Sequence, residues 1–182
     1  MPRKDRLPLA LRELQKVINA LMDDADDDAD EEVARVDLEL YPDLLTPERT
    51  RDELRSWVGK TITSPLPFRP FGQDATGSLY CFWESQPDTP LTAQPIIYFG
   101  SEGDIGVVGR DLPDFLALLS RGVEPYDVFG RARIWREQPV PQICTMVGRH
   151  FPDALERSTQ AMITDARVLN KGFKQALKRV GT

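Results

Sequence analysis

Three short apolar segments in the middle of the chain decide the predicted fold. They read Leu79-Tyr80-Cys81-Phe82-Trp83, Pro95-Ile96-Ile97-Tyr98-Phe99 and Ile105-Gly106-Val107-Val108. Aromatic and β-branched side chains favour strands, and the turn Gly100-Ser101-Glu102-Gly103-Asp104 supplies glycines for positive φ. The segments therefore predict an antiparallel sheet that contains a β-hairpin.

Helical patterns surround these strands. Apolar side chains recur at helical spacing from Pro8 to Met22, and Thr46-Pro47 begins a second predicted helix that ends before Gly59. Asp111 is expected to cap a third helix that runs through Arg121. Between these elements, the three prolines of residues 63–70 predict an irregular crossing, and residues 71–78 predict a turn-rich loop.

The predicted fold class is α+β, with a central antiparallel sheet flanked by helices and an additional helical C-terminal tail. The 182 residues suit a single domain. Within it we expect an N-terminal helix (1–22), an acidic linker (23–32) and an α+β core (33–122). Residues 123–182 are expected to add one further strand, at 131–136, and the C-terminal helices.

The net charge of −6 is concentrated in one segment. Residues 23–54 carry 14 acidic and three basic side chains, whereas residues 1–22 and 149–182 are both net basic. An acidic chain disfavours nonspecific binding to nucleic acid or to anionic membranes, because the charges have the same sign. A basic protein partner remains compatible with this charge.

The most acidic stretch has eight carboxylates in residues 23–32. Self-repulsion favours a solvated linker, and a docking surface for a basic partner through Asp26, Asp27 and Asp28 is the alternative. An EF-hand loop is disfavoured, since Ala29 stands where the loop needs glycine and Arg35 where it needs glutamate.

The remaining polar residues form no complete catalytic or metal-binding pattern. Cys81 and Cys144 lack CxxC spacing, which favours buried thiols, and the single histidine, His150, is expected at the start of the C-terminal helical tail. No cofactor or metal is expected. No apolar run is long enough for a secretory signal or a membrane span, so we expect a cytoplasmic chain.

Two carboxylate pairs are candidates for acid and base catalysis. Glu102 and Asp104 are expected in an exposed turn, and Asp111 and Asp114 fit helix capping, so neither pair is assigned a catalytic role. Three arginines around Trp135 combine positive charge with an aromatic ring, which is typical of single-strand nucleic acid binding. Because the chain as a whole is acidic, an edge strand or a protein-docking patch is favoured instead.

The segment from Pro70 to Leu119 resembles the SUKH superfamily, which includes yeast cell-wall-synthesis regulators and many bacterial immunity proteins. The likeness lies in the Gly- and Asp-containing loop of residues 70–80 that leads into an aromatic strand, in the strand Pro95–Phe99, and in the closing strand and helix of residues 107–119. Residues 107–119 contain the run Asp111-Leu112-Pro113-Asp114-Phe115-Leu116. Residues 122–182 exceed the family core.

The resemblance implies a compact α+β module without cofactor or agreed catalytic residues, which in bacteria commonly neutralises a protein toxin by binding it. The leading hypothesis is therefore a non-enzymatic immunity protein whose acidic surface complements a basic toxin domain, such as a nuclease. A regulatory or scaffold module is the second hypothesis, and a carboxylate-dependent hydrolase the third. The expected contact residues are Asp26, Asp27, Asp28, Glu102, Asp104 and Trp135.

Overall fold

The computed structural model describes residues 6–23, 36–58, 66–129 and 137–180. The helices in this part of the chain are α1 (Leu9–Asp23), α2 (Pro47–Val58), α3 (Leu112–Ser120), α4 (Pro125–Phe129), α5 (Pro141–His150), α6 (Pro152–Glu156) and α7 (Thr159–Val180). The strands are β1 (Glu39–Leu40), β2 (Phe68–Gln73), β3 (Leu79–Trp83), β4 (Ile96–Phe99) and β5 (Ile105–Gly109).

The five strands form one antiparallel sheet in sequence order, β1-β2-β3-β4-β5. Tyr80 lies opposite Tyr98, and Phe99 lies opposite both Leu79 and Ile105. The predicted α+β class and the hairpin of β4 and β5 are thus confirmed. Gly103, with a φ of 95°, supplies the left-handed backbone that the hairpin turn needs.

Helices cover both faces of the sheet. On one face, Phe115 of α3 contacts Phe71 and Tyr80, with ring centroids 6.0 and 5.7 Å apart. On the opposite face, Phe173 of α7 contacts the rings of Phe68, Trp83 and Phe99. Side chains of successive strand residues point to opposite faces of the sheet, so aromatic rings are buried on both faces.

The two outer strands each donate a backbone N–H to a helix side chain. At the β1 edge, Leu40 N donates to Gln15 Oε1 of α1 at 3.1 Å. At the β5 edge, Val107 N donates to Asn170 Oδ1 of α7 at 3.3 Å. These side-chain amides supply acceptors where a neighbouring strand is absent.

The prediction for residues 68–73 was wrong, because β2 replaces the end of the expected irregular crossing and the start of the expected loop. Pro70 fits in this strand because its missing N–H lies on the outer side, where the carbonyl accepts from Leu45 N instead of from another strand. β1 pairs only with Gly72 and Gln73, after the bulge at Phe71. Residues 59–65 lie outside the described part of the chain.

The C-terminal helices contribute to the same hydrophobic core as the sheet. Ile143, Met146, Met162 and Phe173 are all fully buried. The predicted helical tail is confirmed, but it packs into the fold as α5, α6 and α7, with α7 continuous through Gly172. The strand predicted at residues 131–136 lies outside the described residues.

Candidate functional site

Two turns lie side by side at one end of the sheet, which we call the hairpin end. Residues 74–78 connect β2 to β3, and residues 100–104 connect β4 to β5. β1 enters the sheet at the same end, because Glu39 pairs with Gln73, the last residue of β2. The hairpin end therefore brings together three separate parts of the sequence.

Asp74 lies at the centre of the first turn and is 8% exposed. Its Oδ1 accepts hydrogen bonds from Thr76 N at 2.9 Å, from the Thr76 hydroxyl at 2.6 Å and from Ser78 N at 3.0 Å. Its Oδ2 accepts from the Tyr98 hydroxyl of β4 at 2.9 Å. This one carboxylate thus holds its own turn closed and attaches it to a strand 24 residues further along the chain.

The second turn is attached to the first through hydroxyl groups. Ser101 N donates to Ser78 Oγ at 3.0 Å, and the Ser101 hydroxyl donates to Thr76 Oγ1 at 3.1 Å. Trp57 of α2 supports the same turn, since its Nε1 donates to Gly100 O at 2.8 Å. The two turns form one hydrogen-bonded network.

These hydrogen bonds favour the ionised form of Asp74 and the neutral form of Tyr98. Burial alone raises the pKa of Asp74, but the hydrogen bonds from Thr76, Ser78 and Tyr98 together outweigh it and hold the pKa below its ordinary value. Burial and the neighbouring Asp74 carboxylate raise the pKa of Tyr98 to about 12. At neutral pH the network therefore contains an ionised acceptor and a neutral phenol donor.

Four exposed carboxylates surround this network. Glu102 and Asp104 lie in the second turn, and Asp37 and Glu39 lie at β1. Asp37 accepts from Ala75 N at 2.8 Å, and Glu39 accepts from Gln73 Nε2 at 3.2 Å. Among the described residues, none of the ion pairs involves any of these four side chains.

We name these four residues, Asp37, Glu39, Glu102 and Asp104, the acidic rim. Neighbouring strands are about 4.8 Å apart, so the outer strands β1 and β5 are separated by about 19 Å at the hairpin end. The acidic rim therefore presents negative charge across the hairpin end of the sheet. Such a surface attracts and orients a partner of opposite charge.

The structure places the predicted contact residues as follows. Glu102 and Asp104 are exposed in the hairpin turn, as expected, whereas Asp26, Asp27, Asp28 and Trp135 lie outside the described residues. The alternation of apolar and polar residues in 33–40 predicts a half-buried strand or an extended lead-in with Asp37 and Glu39 on its polar side, but it does not single out either acid as a contact residue. The structure shows this alternation, since Leu38 and Leu40 are buried and Asp37 and Glu39 are exposed.

Comparison of the chain with protein-family models, with curated proteins and with solved structures finds no match.

A second group of charged residues fastens the helices together. Asp111 caps α3 as predicted, since its side chain accepts from Asp114 N. Asp114, also expected as a capping residue, is instead fully buried and contacts Arg157. Burial raises the pKa of Asp114, opposed by the hydrogen bond from Arg157. Arg157 also contacts Asp165 of α7, so the group is an ion-pair cluster between helices.

The cysteines and the histidine occupy separate positions. Cys81 is fully buried, which raises the pKa of its thiol well above the ordinary value, whereas Cys144 is only partly buried. His150 lies at the end of α5 instead of at the start of the helical tail, with its Nε2 2.8 Å from Glu13 Oε2 of α1. Within the described ranges, no group of three or more His, Cys, Asp or Glu side chains is placed to hold a metal ion.

In the part of the chain that the structure covers, no helix combines the length and the apolar composition that a membrane span needs.

Proposed function

We propose that this chain is a non-enzymatic protein-binding module of the SUKH kind, a bacterial immunity protein that neutralises a cognate toxin by direct binding. The toxin domain is basic, such as a nuclease, and the encounter takes place in the cytoplasm. The acidic rim at the hairpin end is the contact surface, with Asp26, Asp27 and Asp28 as further contacts.

The observation that carries the proposal is the acidic rim without ion pairs among the described residues. Each of its carboxylates is exposed, and two of them are oriented by hydrogen bonds from Ala75 N and Gln73 Nε2. A basic partner gains charge-assisted contacts there, and complementary charge raises the rate of association at low salt.

The location of the rim relative to the family-like segment also supports the proposal. The Gly- and Asp-containing loop that resembles the SUKH pattern is the turn centred on Asp74, and the strand Pro95–Phe99 contains β4. Both belong to the hairpin end. The likeness and the charged surface therefore fall on the same part of the fold.

The experiment is co-expression with the toxin encoded next to this gene, read out as growth rescue and as a complex in pull-down. The test variant is Glu102→Gln with Asp104→Asn. The matched control is Asp153→Asn with Glu156→Gln, which removes the same charge from exposed positions on α6. We expect the test variant to weaken binding about tenfold at low salt and the control to bind like the wild type.

Two outcomes would contradict the proposal. If neither rescue nor a complex is found, the immunity function is wrong, and a housekeeping gene context would then favour the scaffold hypothesis. If test and control variants lose binding equally, net charge is responsible and the acidic rim is not the contact surface. Reversal of Asp26, Asp27 and Asp28 to lysine should weaken association and its dependence on salt.

A further inference from the structure

We propose that Asp74 is the positioning residue of the hairpin end: it joins the two turns into one rigid unit and so fixes the geometry of the acidic rim. The inference rests on the proposed function for its biological meaning, because the geometry of the rim matters only when a partner binds there. How one turn restrains the other is independent of any partner and can be measured on the chain alone.

The coupling path runs through hydroxyl groups. Asp74 makes no hydrogen bond to the turn at residues 100–104, but the Thr76 hydroxyl donates to Asp74 Oδ1. The Ser78 hydroxyl is hydrogen-bonded to Thr76 Oγ1 across 2.8 Å, and Ser101 N donates to Ser78 Oγ. The second turn is therefore restrained by Asp74 through two intermediate side chains.

Asp74 also holds β4, the strand that leads into the second turn. Tyr98 donates to Asp74 Oδ2, and Tyr98 is separated from Ser101 by only two residues. The second turn is thus held both at its start, through Ser101, and on its preceding strand. A carboxylate suits this task because only an ionised acceptor takes four hydrogen bonds without donating any.

Burial separates the positioning residue from the contact residues. Asp74 is 8% exposed and Ser78 is fully buried, whereas Asp37, Glu102 and Asp104 are exposed. A partner that contacts the rim meets the exposed acids and little of Asp74. The rim accordingly suits a folded partner whose basic side chains are themselves held at fixed positions, because preorganisation on both sides lowers the entropic cost of binding.

The test is native-state amide hydrogen exchange by NMR on the full chain at neutral pH, without a partner. Thr76→Val removes the linking hydroxyl and keeps the side-chain shape, and Thr76→Ser keeps the hydroxyl. Asp37→Ala is the matched control, since it removes the acceptor of Ala75 N in the same turn. The amides of Cys81 and Ile97 in the central strands report on global stability.

We expect Thr76→Val to accelerate exchange at Ser101 and Gly103 at least about tenfold, with Cys81 and Ile97 unchanged. Thr76→Ser should behave like the wild type, and Asp37→Ala should accelerate exchange at Ala75 alone. Unchanged exchange at Ser101 in Thr76→Val, or equal acceleration in Asp37→Ala, would overturn the inference. A failed toxin assay would leave this result intact, and a failed exchange experiment would leave the charge-based function standing.

Discussion

Arg157 connects three helices through two carboxylates. It lies between α6 and α7 and contacts Asp114 of α3 and Asp165 of α7. Arg110 lies 3.5 Å from the Oδ2 atoms of the same two carboxylates. Asp114 Oδ1 is buried without a hydrogen-bond partner in the described structure. The buried negative charge of Asp114 is therefore balanced through Oδ2, which contacts Arg157 and Arg110.

Replacement of Arg157 by methionine should therefore be costly. It leaves the buried Asp114 carboxylate with only the more distant Arg110, and breaking a buried ion pair typically costs about 3 kcal/mol or more. Adding Asp114→Asn to Arg157→Met should recover much of this loss, because the buried charge is removed. Urea unfolding of the single and double variants at pH 7 measures both effects. A double variant no more stable than Arg157→Met would contradict this account.

Asp74 should make the stability of the fold depend on acid pH. Its pKa in the folded chain lies below the ordinary value of 3.8, so its contribution is fully present well above that pH and is lost as the pH falls through the folded pKa. Asp74→Asn should cost about 1.5–3 kcal/mol at pH 7, the magnitude of hydrogen bonds to a charged group.

The measurement for Asp74→Asn is urea unfolding at pH 7 and at about pH 3. The difference from the wild type should shrink at the lower pH, because below the ordinary pKa of 3.8 the unfolded chain takes up a proton at Asp74 more readily than the folded chain does. Asp153→Asn, an exposed change on α6, serves as the control. A difference that stays constant across this range would show that the ionised form of Asp74 has no special stabilising role.

At the scale of elements, Asn170 shows how a helix completes a sheet edge. Asn170→Leu removes the acceptor of the Val107 N–H, and an unsatisfied buried donor costs about 1–3 kcal/mol. Asn170→Asp retains an acceptor oxygen and should lose less. Chemical unfolding of both variants checks this, and a leucine variant as stable as the wild type would mean that the contact at 3.3 Å contributes nothing.

The strands that the sequence pattern predicted are those whose signal is local. β3, β4 and β5 have aromatic and β-branched runs, and α3 has an N-cap and a terminating glycine. β2 was missed because Pro70 and Gly72 normally interrupt strands. Its tolerance of Pro70 depends on an outer side where no strand pairs with this residue, which only the assembled sheet reveals.

The residues of the candidate site were likewise predictable only where the signal is local in sequence. Glu102 and Asp104 were predictable because a hairpin turn exposes its own polar residues. The role of Asp74 was not, because its partners Tyr98 and Ser101 come from another strand and another turn. The buried position of Asp114 likewise depends on Arg157, 43 residues away.

At the scale of the whole molecule, α7 is part of the core. Phe173→Ala removes a fully buried ring that contacts Phe68, Trp83 and Phe99, and such truncations cost about 3–5 kcal/mol. Thermal unfolding should keep one transition at a lower midpoint, whether followed by tryptophan fluorescence or by far-ultraviolet circular dichroism. Separate transitions by the two probes would show that α7 unfolds independently of the sheet.

The sequential order of the sheet has a consequence for synthesis on the ribosome. Each strand pairs with the next one along the chain, so β2 to β5 can form hairpins as they emerge. The contact between α1 and α5 forms only after α5 has been made, because it joins Glu13 to His150 across 137 positions. Until α7 (Thr159–Val180) has been made, nascent chains lack the Phe173 ring that covers Phe68, Trp83 and Phe99, which leaves these rings more open to chaperones and proteases. Chains truncated before α7 should therefore be degraded in the cell instead of accumulating as a smaller folded protein.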